Sequence, residues 1–172
     1  MARTIHIAKA DEVAIHLATI ENATEVALTA LTGTLVAHSP VSALAHIKFD
    51  RIGRDPLDPG RELNLIEQVN QTFTYLATLS ATQQLYELHP SASEFTLKMG
   101  AVAGTDIESS DCGGRAAEVF SAVVPSNNDK LRKDTAKVAA SNAANKYVFF
   151  MCPGYPKGEQ PKNPSYPDVT IF

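Results

Sequence analysis

The chain has 172 residues, of which 44% are hydrophobic, and it carries a formal net charge of −4. This length and apolar content allow one hydrophobic core, and therefore one compact domain. The acidic balance and the lack of any run of Lys or Arg argue against a large non-specific nucleic-acid-binding surface. A local basic patch remains compatible with this composition.

Two cysteines, Cys112 and Cys152, are too few for a disulfide framework, and they form no C-x-x-C metal motif. No stretch of about 18 apolar residues indicates a membrane-spanning helix. The N-terminal residues also lack the apolar core of a signal peptide. We therefore expect a cytoplasmic protein without a membrane partner.

Helical sequence dominates the N-terminal third of the chain. Residues 10–35 are rich in Ala, Leu and Thr at helical spacing, which predicts a helix that restarts near Ala23 and ends at about Gly33. Residues 41–49 predict another short helix, and the Pro and Gly residues of 51–60 predict a turn-rich connector. We assign residues 1–60 to an N-terminal helical extension.

A long amphipathic helix is predicted over residues 61–88. Its apolar stripe consists of Leu65, Ile66, Val69, Phe73 and Leu76. His89 and Pro90 end the helix, because the residue before a proline is disfavoured in helical conformation. This helix is expected to cover one face of the sheet that follows.

A sheet is predicted in the second half of the chain. Residues 94–100 alternate apolar and polar side chains and are expected to form a hairpin with residues 105–109. Residues 115–124 are rich in Ala and Val and predict a more central strand. A helix ending near Ala140 and an apolar strand over residues 147–152 complete the series. The order of helix, hairpin, strand, helix and strand predicts an α/β fold.

Both ends of the chain have less regular sequences. Residues 4–7 predict a short strand or an extended arm. Residues 153–172 predict a Pro-rich C-terminal arm, whose apolar last residues, 169–172, are expected to dock on the protein or on a partner. Both ends are assigned to a single compact domain built around residues 61–152.

Two carboxylates fall where adjacent strands of the predicted sheet would bring them together. Asp106 lies on the second strand of the hairpin, and Glu118 lies on the strand that follows. Metal-assisted hydrolysis of a phosphodiester bond requires hard oxygen ligands close together on a rigid frame. A basic side chain that positions the attacking water or stabilises the developing charge would complete such a site.

With these two acids, residues 61–152 resemble the restriction-endonuclease-like, or PD-(D/E)XK, nuclease superfamily. That family places an acid-bearing helix first, an aspartate on the second strand and a (D/E)-x-K signature on the third, followed by a helix and a fourth strand. Asp106 matches the aspartate, and Glu118 matches the acid of the signature. Two positions differ, because Thr105 replaces the usual proline and Phe120 replaces the signature lysine.

The resemblance implies a restriction-endonuclease-like core and a nuclease that hydrolyses DNA with Mg²⁺ or Mn²⁺. Asp106 and Glu118 would bind the metal together with the backbone carbonyl of Val119. Some members of the superfamily move a catalytic side chain to a neighbouring element, so Lys130 is expected to replace the missing lysine. Lys133, in the next turn of the same predicted helix, is the second choice.

Other residues receive supporting roles. Glu67 is the counterpart of the family's helical acid, and Glu62 is the competing choice. Phosphate binding requires positive charge but no fixed sequence pattern. The expected phosphate contacts are Lys98, Arg115, Arg132 and Lys137. The resemblance also implies a homodimer that cuts both DNA strands with two sites.

These assignments have structural alternatives. Asp106 would serve equally as an ordinary turn residue, and Glu118 would be harmless at a sheet edge. Lys130 and Lys133 would form the solvated face of a helix. Phe120 in the lysine position, the net acidity and the Pro-rich tail favour a non-catalytic binding or assembly module with the same fold. The separation of the two carboxyl groups distinguishes the two hypotheses.

Overall fold

The computed structural model describes residues 3–100 and 102–172, apart from the side chain of Asn127. The chain forms two compact units. The first, here called the sheet unit, combines the N-terminal residues up to Val13 with Ala77–Phe172. The second, the helical unit, contains Ala14–Leu76. No helix of the described residues is long and apolar enough to cross a membrane.

The described residues contain both helices and strands, interspersed along the chain. In chain order they are β1 (Arg3–Ile7), α1 (Glu12–Ala37), α2 (Pro40–Phe49), β2 (Gly53–Asp55), β3 (Asp58–Leu63), α3 (Leu65–Leu88), β4 (Phe95–Met99), β5 (Ile107–Ser109), β6 (Arg115–Ser121), α4 (Lys130–Ala139), β7 (Asn145–Met151) and β8 (Val169–Ile171). The mixed α/β class predicted from the sequence is therefore confirmed.

A six-stranded sheet with the order β1-β4-β5-β6-β7-β8 forms the core of the sheet unit. The pairs from β1 to β6 are antiparallel, whereas β6, β7 and β8 run parallel. Parallel neighbours require a crossover connection, and α4 provides it between β6 and β7. The helix therefore runs back over the sheet, where it packs against both strands.

The register between the strands separates the two faces of the sheet. Leu97 pairs with Ile107, which pairs with Ala117, so these buried side chains share one face. Phe120 lies on the other face, because successive side chains alternate along a strand, and it packs with Val138 of α4. The side chains at even positions of β6 therefore point toward α4.

Both ends of the chain join this sheet. The strand predicted at residues 4–7 is present as β1, paired with β4. The apolar C-terminal residues dock on the protein as β8, in which Val169 and Ile171 belong to the cluster around Phe120. The sheet thus includes residues on both sides of the core predicted over 61–152.

Replacement of Ile171 with alanine is expected to lower the free energy of unfolding by about 2–4 kcal/mol, because Ile171 is buried and the change leaves a cavity. Thr170→Ala, at the neighbouring half-buried position, is the control and is expected to cost less than about 1 kcal/mol. Urea denaturation followed by circular dichroism measures both values. Equal losses in the two variants would contradict the packing of β8.

Three predicted helix boundaries are wrong. α1 is one continuous helix and does not restart near Ala23, because Ala23 is a buried position in the middle of the helix, where packing outweighs the local capping signal. α1 also continues through Gly33 and ends at Ala37. α3 begins at Leu65 and not at Arg61, because Asp58–Leu63 pairs with β2 as a strand. The short helix predicted over residues 41–49 is present as α2.

The connector predicted over residues 51–60 contains a two-stranded hairpin, β2 and β3. Its turn is closed by Asp55, whose carboxylate accepts from the N–H of Leu57 at 3.0 Å and from the guanidinium of Arg61 at 2.9 Å. Pro59 is tolerated in β3 because both strands of this sheet are edge strands. The turn predicted from the sequence is present, but the pairing of β2 with β3 on either side of it was not predicted.

A buried glutamine ties the helical unit together. The side-chain amide of Gln68 donates to the carbonyl oxygen of Ala23 at 3.1 Å and accepts from the N–H of Arg54 at 2.6 Å. Gly53 permits this approach, because a Cβ at that position would lie 2.7 Å from Oε1 of Gln68. One side chain thereby joins α1, β2 and α3.

Candidate functional site

The two predicted acids lie opposite each other on neighbouring strands. Ile107 of β5 is paired with Ala117 of β6, so one further step along this register sets Asp106 opposite Glu118. Side chains at directly opposite positions share a face, with Cβ atoms about 4.5–5.5 Å apart. Both carboxylates therefore lie on the face of the sheet that α4 covers.

Asp106 is held by a hydrogen bond from the backbone. Its Oδ2 accepts from the N–H of Val119 at 2.8 Å. Burial raises the pKa of Asp106 above its ordinary value, although this hydrogen bond and the charges of Lys137 and Lys130 act in the opposite direction. Its ionised form is therefore costly without a cation nearby.

Glu118 is more deeply buried, with 2% of its surface exposed. Burial raises the pKa of Glu118 to about 7, and the negative charge of Asp106 adds to the increase. The ammonium of Lys137 partly offsets both effects, with its Nζ 2.7 Å from Oε1 of Glu118. Oε1 of Glu118 is itself buried, and the ammonium of Lys137 is its charged partner.

Lys137 extends from α4 to the acid pair and remains half exposed, with 48% of its side chain in solvent. Partial burial acts to lower the pKa of Lys137, but the carboxylates of Glu118 and Asp106 outweigh it, and the net shift is upward. Lys137 is therefore a permanent cation at neutral pH. From the sequence alone, Lys137 is predicted only as a phosphate contact.

The two lysines predicted to replace the signature lysine have other partners. Lys130 places its Nζ 2.9 Å from Oδ1 of Asp134, although its charge still acts on Asp106. Lys133 is exposed and donates to the backbone carbonyl of Asn128 at 3.0 Å. The structure thus brings Lys137 to Glu118, and it directs Lys133 to the loop before α4.

Asp134 is a site residue that the sequence analysis missed. It lies four residues after Lys130 and three before Lys137, so the three side chains share one side of α4. Asp134 is buried, and its Oδ2 has no hydrogen-bond partner among the described residues. Its charge helps to raise the pKa of both Asp106 and Glu118. The signal in the sequence is an acid and two lysines at helical spacing.

All four predicted phosphate contacts form ion pairs within the protein. The pairs are Lys98–Glu108, Arg115–Asp111, Arg132–Asp129 and Lys137–Glu118. Arg115 is also buried, whereas Arg132 is largely exposed. A phosphate would therefore have to compete with a carboxylate for each of these cations.

Glu67 and Glu62 belong to the helical unit, and Asp106 and Glu118 belong to the sheet unit. Glu67 lies in the first turn of α3, where its N–H donates to the side chain of Asn64 at 2.8 Å. Glu62 forms an ion pair with Arg54 at 3.0 Å. The role of the helical acid stays a prediction.

A cleft of about 580 Å³ opens next to Lys137, although neither Asp106 nor Glu118 lines it. Lys137 lines it, together with Ala116, which lies two residues before Glu118 on the same face of β6. Its polar walls include Thr96, Ser109, Ser110, Ser141 and Asn142. Within residues 3–100 and 102–172, no three His, Cys, Asp or Glu side chains form a group arranged to hold a metal ion.

Comparisons of the chain with protein-family models, with curated proteins and with solved structures found no match. The site is therefore interpreted from its own geometry. It consists of two acids on adjacent strands, a lysine from the covering helix that contacts one of them, and a third buried acid on that helix.

Proposed function

We propose that the protein is a Mg²⁺-dependent nuclease, also active with Mn²⁺, that hydrolyses DNA phosphodiester bonds at Asp106 and Glu118. The observation that carries this proposal is the placement of both carboxylates on one face of the sheet, with the ammonium of Lys137 2.7 Å from Glu118. Buried acids with raised pKa values beside a specific cation and an open cleft are typical of catalytic sites.

The topology of the sheet unit supports a restriction-endonuclease-like core. The series α3, β4, β5, β6, α4 and β7 has the order of helix, hairpin, strand, helix and strand that the PD-(D/E)XK resemblance implies. Asp106 directly precedes β5, and Glu118 lies within β6. Phe120 still lacks the positive charge of the signature lysine, and Lys137 supplies one from the helix above.

The acid pair fits a hard divalent cation. Mg²⁺ is usually held by one or two carboxylates and several waters, so a third acidic ligand is not required. A bound cation would favour the charged forms of Asp106 and Glu118, whose pKa values burial raises. The ion would be held by Asp106, Glu118 and the backbone carbonyl of Val119. The N–H of Val119 already faces Asp106, and the N–H and C=O of a strand residue point toward the same neighbouring strand.

When bound, the metal ion would polarise the phosphate and lower the pKa of a coordinated water. Lys137 would act as a fixed positive charge and not as a base, because its pKa is raised. In this position it favours the ionised form of Glu118 and would stabilise negative charge that develops on the phosphoryl oxygens. Its half-exposed side chain leaves room for a phosphate to approach from the cleft.

Plasmid nicking in the presence of Mg²⁺ or Mn²⁺ tests the proposal. Asp106→Ala and Glu118→Ala are each expected to lower the rate at least ~100-fold, because each removes a charged group from the reacting centre. Glu159→Ala, which removes an exposed acid of the C-terminal arm, is the control and is expected to retain the wild-type rate. Equal activity in wild type and both site variants would indicate contamination or a different site.

A non-catalytic binding or assembly module is the alternative, and the internal pairing of all four predicted phosphate contacts favours it. In that case Lys137 only neutralises a buried acid. Calorimetric titration with Mn²⁺ separates the two functions, because the nuclease requires binding that Asp106→Ala abolishes. No binding by the wild type, together with no nicking, would leave the module as the explanation.

A further inference from the structure

A groove of about 780 Å³ runs along α1 and the first half of α3, within the helical unit. The residues of α1 that line it recur at helical spacing from Leu17 to Thr32, so they form one continuous stripe about 22 Å long. Two of its apolar side chains, Leu28 and Phe73, are 54% and 48% exposed. The large apolar side chains of the groove are Leu17, Ile20, Leu28, Phe73 and Leu76.

Threonines add to the apolar surface of this groove. The hydroxyl of Thr24 donates to the carbonyl oxygen of Ile20 at 2.8 Å. The hydroxyls of Thr29 and Thr32 likewise donate to the carbonyl oxygens four residues before them, at 3.0 and 2.9 Å. Because these hydroxyls already have acceptors within α1, the three side chains offer mainly their methyl groups to a partner.

The charge around the groove is negative. Glu21 and Glu25 line it, both are exposed, and neither forms an ion pair with another described residue. Like charges four residues apart disfavour a helix, so a cation between these two carboxylates would stabilise α1. The two helices contain no Lys, Arg or Asp, and their acidic residues are Glu12, Glu21, Glu25, Glu67 and Glu87.

We propose that this groove binds a basic amphipathic helix of a partner protein. The apolar stripe of such a helix would pack on Leu28 and Phe73, as in other complexes in which a helix lies in an apolar groove. Lys or Arg residues beside that stripe would pair with Glu21 and Glu25, which gives the contact its specificity. The length of the groove, about 22 Å, matches a partner helix of about 15 residues. DNA does not fit here, because the glutamates repel phosphates.

A second copy of this chain fits the groove poorly. A twofold contact through this surface would place Glu21 and Glu25 near the same acids of the other copy. The basic helix of the chain, α4, cannot supply the apolar stripe, because Leu131 and Val138 pack in the cluster around Phe120. The charge of the groove therefore favours a different, basic partner.

Fluorescence anisotropy of a labelled peptide titrated with the full chain tests the proposal. The probe is a peptide of about 15 residues, with Leu at helical i, i+3, i+4 and i+7 spacing and Lys at the remaining positions. The comparison peptide carries Glu in place of each Lys. The Leu–Lys peptide is expected to bind with a Kd of about 10 µM or lower, and the Leu–Glu peptide at least ~10-fold more weakly.

Two pairs of variants separate the apolar contact from the charge. Leu28→Ser is expected to weaken binding of the Leu–Lys peptide at least ~10-fold. Val26→Ser is its matched control, because Val26 is 46% exposed and lies on the opposite side of α1, outside the groove. The double variant Glu21→Gln with Glu25→Gln is expected to remove most of the preference for Lys over Glu. Its control, Glu87→Gln with Glu159→Gln, removes the same charge outside the groove and should keep the preference.

Circular dichroism establishes that each variant is folded. Failure of the Leu–Lys peptide to bind at protein concentrations up to about 100 µM overturns the proposal. So does binding that the control variants weaken as much as the groove variants do. Sedimentation equilibrium of the chain alone addresses a second copy: a wild-type dimer that Leu28→Ser dissociates and Val26→Ser leaves intact would assign the groove to self-association and also overturn the proposal.

Discussion

Lys137→Met is expected to lower the single-turnover rate of Mg²⁺-dependent plasmid nicking by about 100- to 10,000-fold, the range found when a group acting on charge or protons in the transition state is removed. The physical reason is the position of its ammonium, 2.7 Å from Glu118 and half exposed toward the cleft. The substitution keeps the length and apolar character of the side chain but removes its charge.

Lys133→Met is the matched control, because it makes the same change on the same helix at a lysine that contacts the backbone of Asn128. It is expected to change the rate less than about threefold, since an exposed charge is largely screened by solvent. If Lys133→Met loses activity and Lys137→Met retains it, the catalytic cation is Lys133, the second choice from the sequence. If only Lys130→Met loses activity, the catalytic cation is Lys130, the first choice.

The lengths of the elements explain why Lys137, and not Lys133, contacts Glu118. The distance from Glu118 to the end of β6 at Ser121 is three residues, or about 10 Å of strand. α4 runs in the opposite direction, and the seven residues from Lys130 to Lys137 rise about 10 Å of helix. Lys137 therefore returns to the level of Glu118, whereas Lys130, in the first turn of the helix, lies over Phe120 near the end of the strand, with its Nζ 6.0 Å from the ring centroid.

The acid pair itself could be predicted because it depends on local signals. Alternation in β4, a turn rich in glycine and the apolar sequence of β6 fix three antiparallel strands, and their register sets Asp106 opposite Glu118. The protonation of the pair could not be predicted in this way. It depends on burial of the pair beneath α4 and on the buried carboxylate of Asp134. The packing of α4 on the strands cannot be predicted from a short stretch of sequence.

The N-terminal half shows the same limit of local signals. Asp55 and Pro59 are turn formers, so their segment was interpreted as a connector, yet the ion pair of Asp55 with Arg61 closes a hairpin. Residues 4–7 gave no indication of their partner, because β1 pairs with β4 across most of the N-terminal half. Pairing between residues so far apart depends on the sheet as a whole.

Glu118→Gln is expected to make the protein more stable than the wild type by about 3–4 kcal/mol at about pH 8, because each pKa unit corresponds to about 1.4 kcal/mol. The pKa of Glu118 is about 7 in the folded protein, against an ordinary value of 4.5. Between these values the folded protein binds more protons than the unfolded chain, so stability falls as the pH rises through this window. The glutamine variant does not lose stability in this pH window. The difference in the free energy of unfolding should therefore vanish near pH 4, where Glu118 is protonated in both the folded and the unfolded state.

Urea denaturation at several pH values measures the difference, and Glu108→Gln is the control with the opposite sign. Burial acts to raise the pKa of Glu108, but the ammonium of Lys98 and the hydrogen bonds from Thr105 together outweigh it, and the net shift is downward. Glu108 therefore stabilises the fold above its ordinary pKa, and Glu108→Gln should be less stable than the wild type at about pH 8. Stability gained by Glu118→Gln together with loss of nicking would show that a carboxylate unfavourable to the fold is retained for its chemistry. A Glu118→Gln variant that is less stable than the wild type at that pH would mean that Lys137 fully compensates the buried charge, and the acid would then be an ordinary structural ion pair.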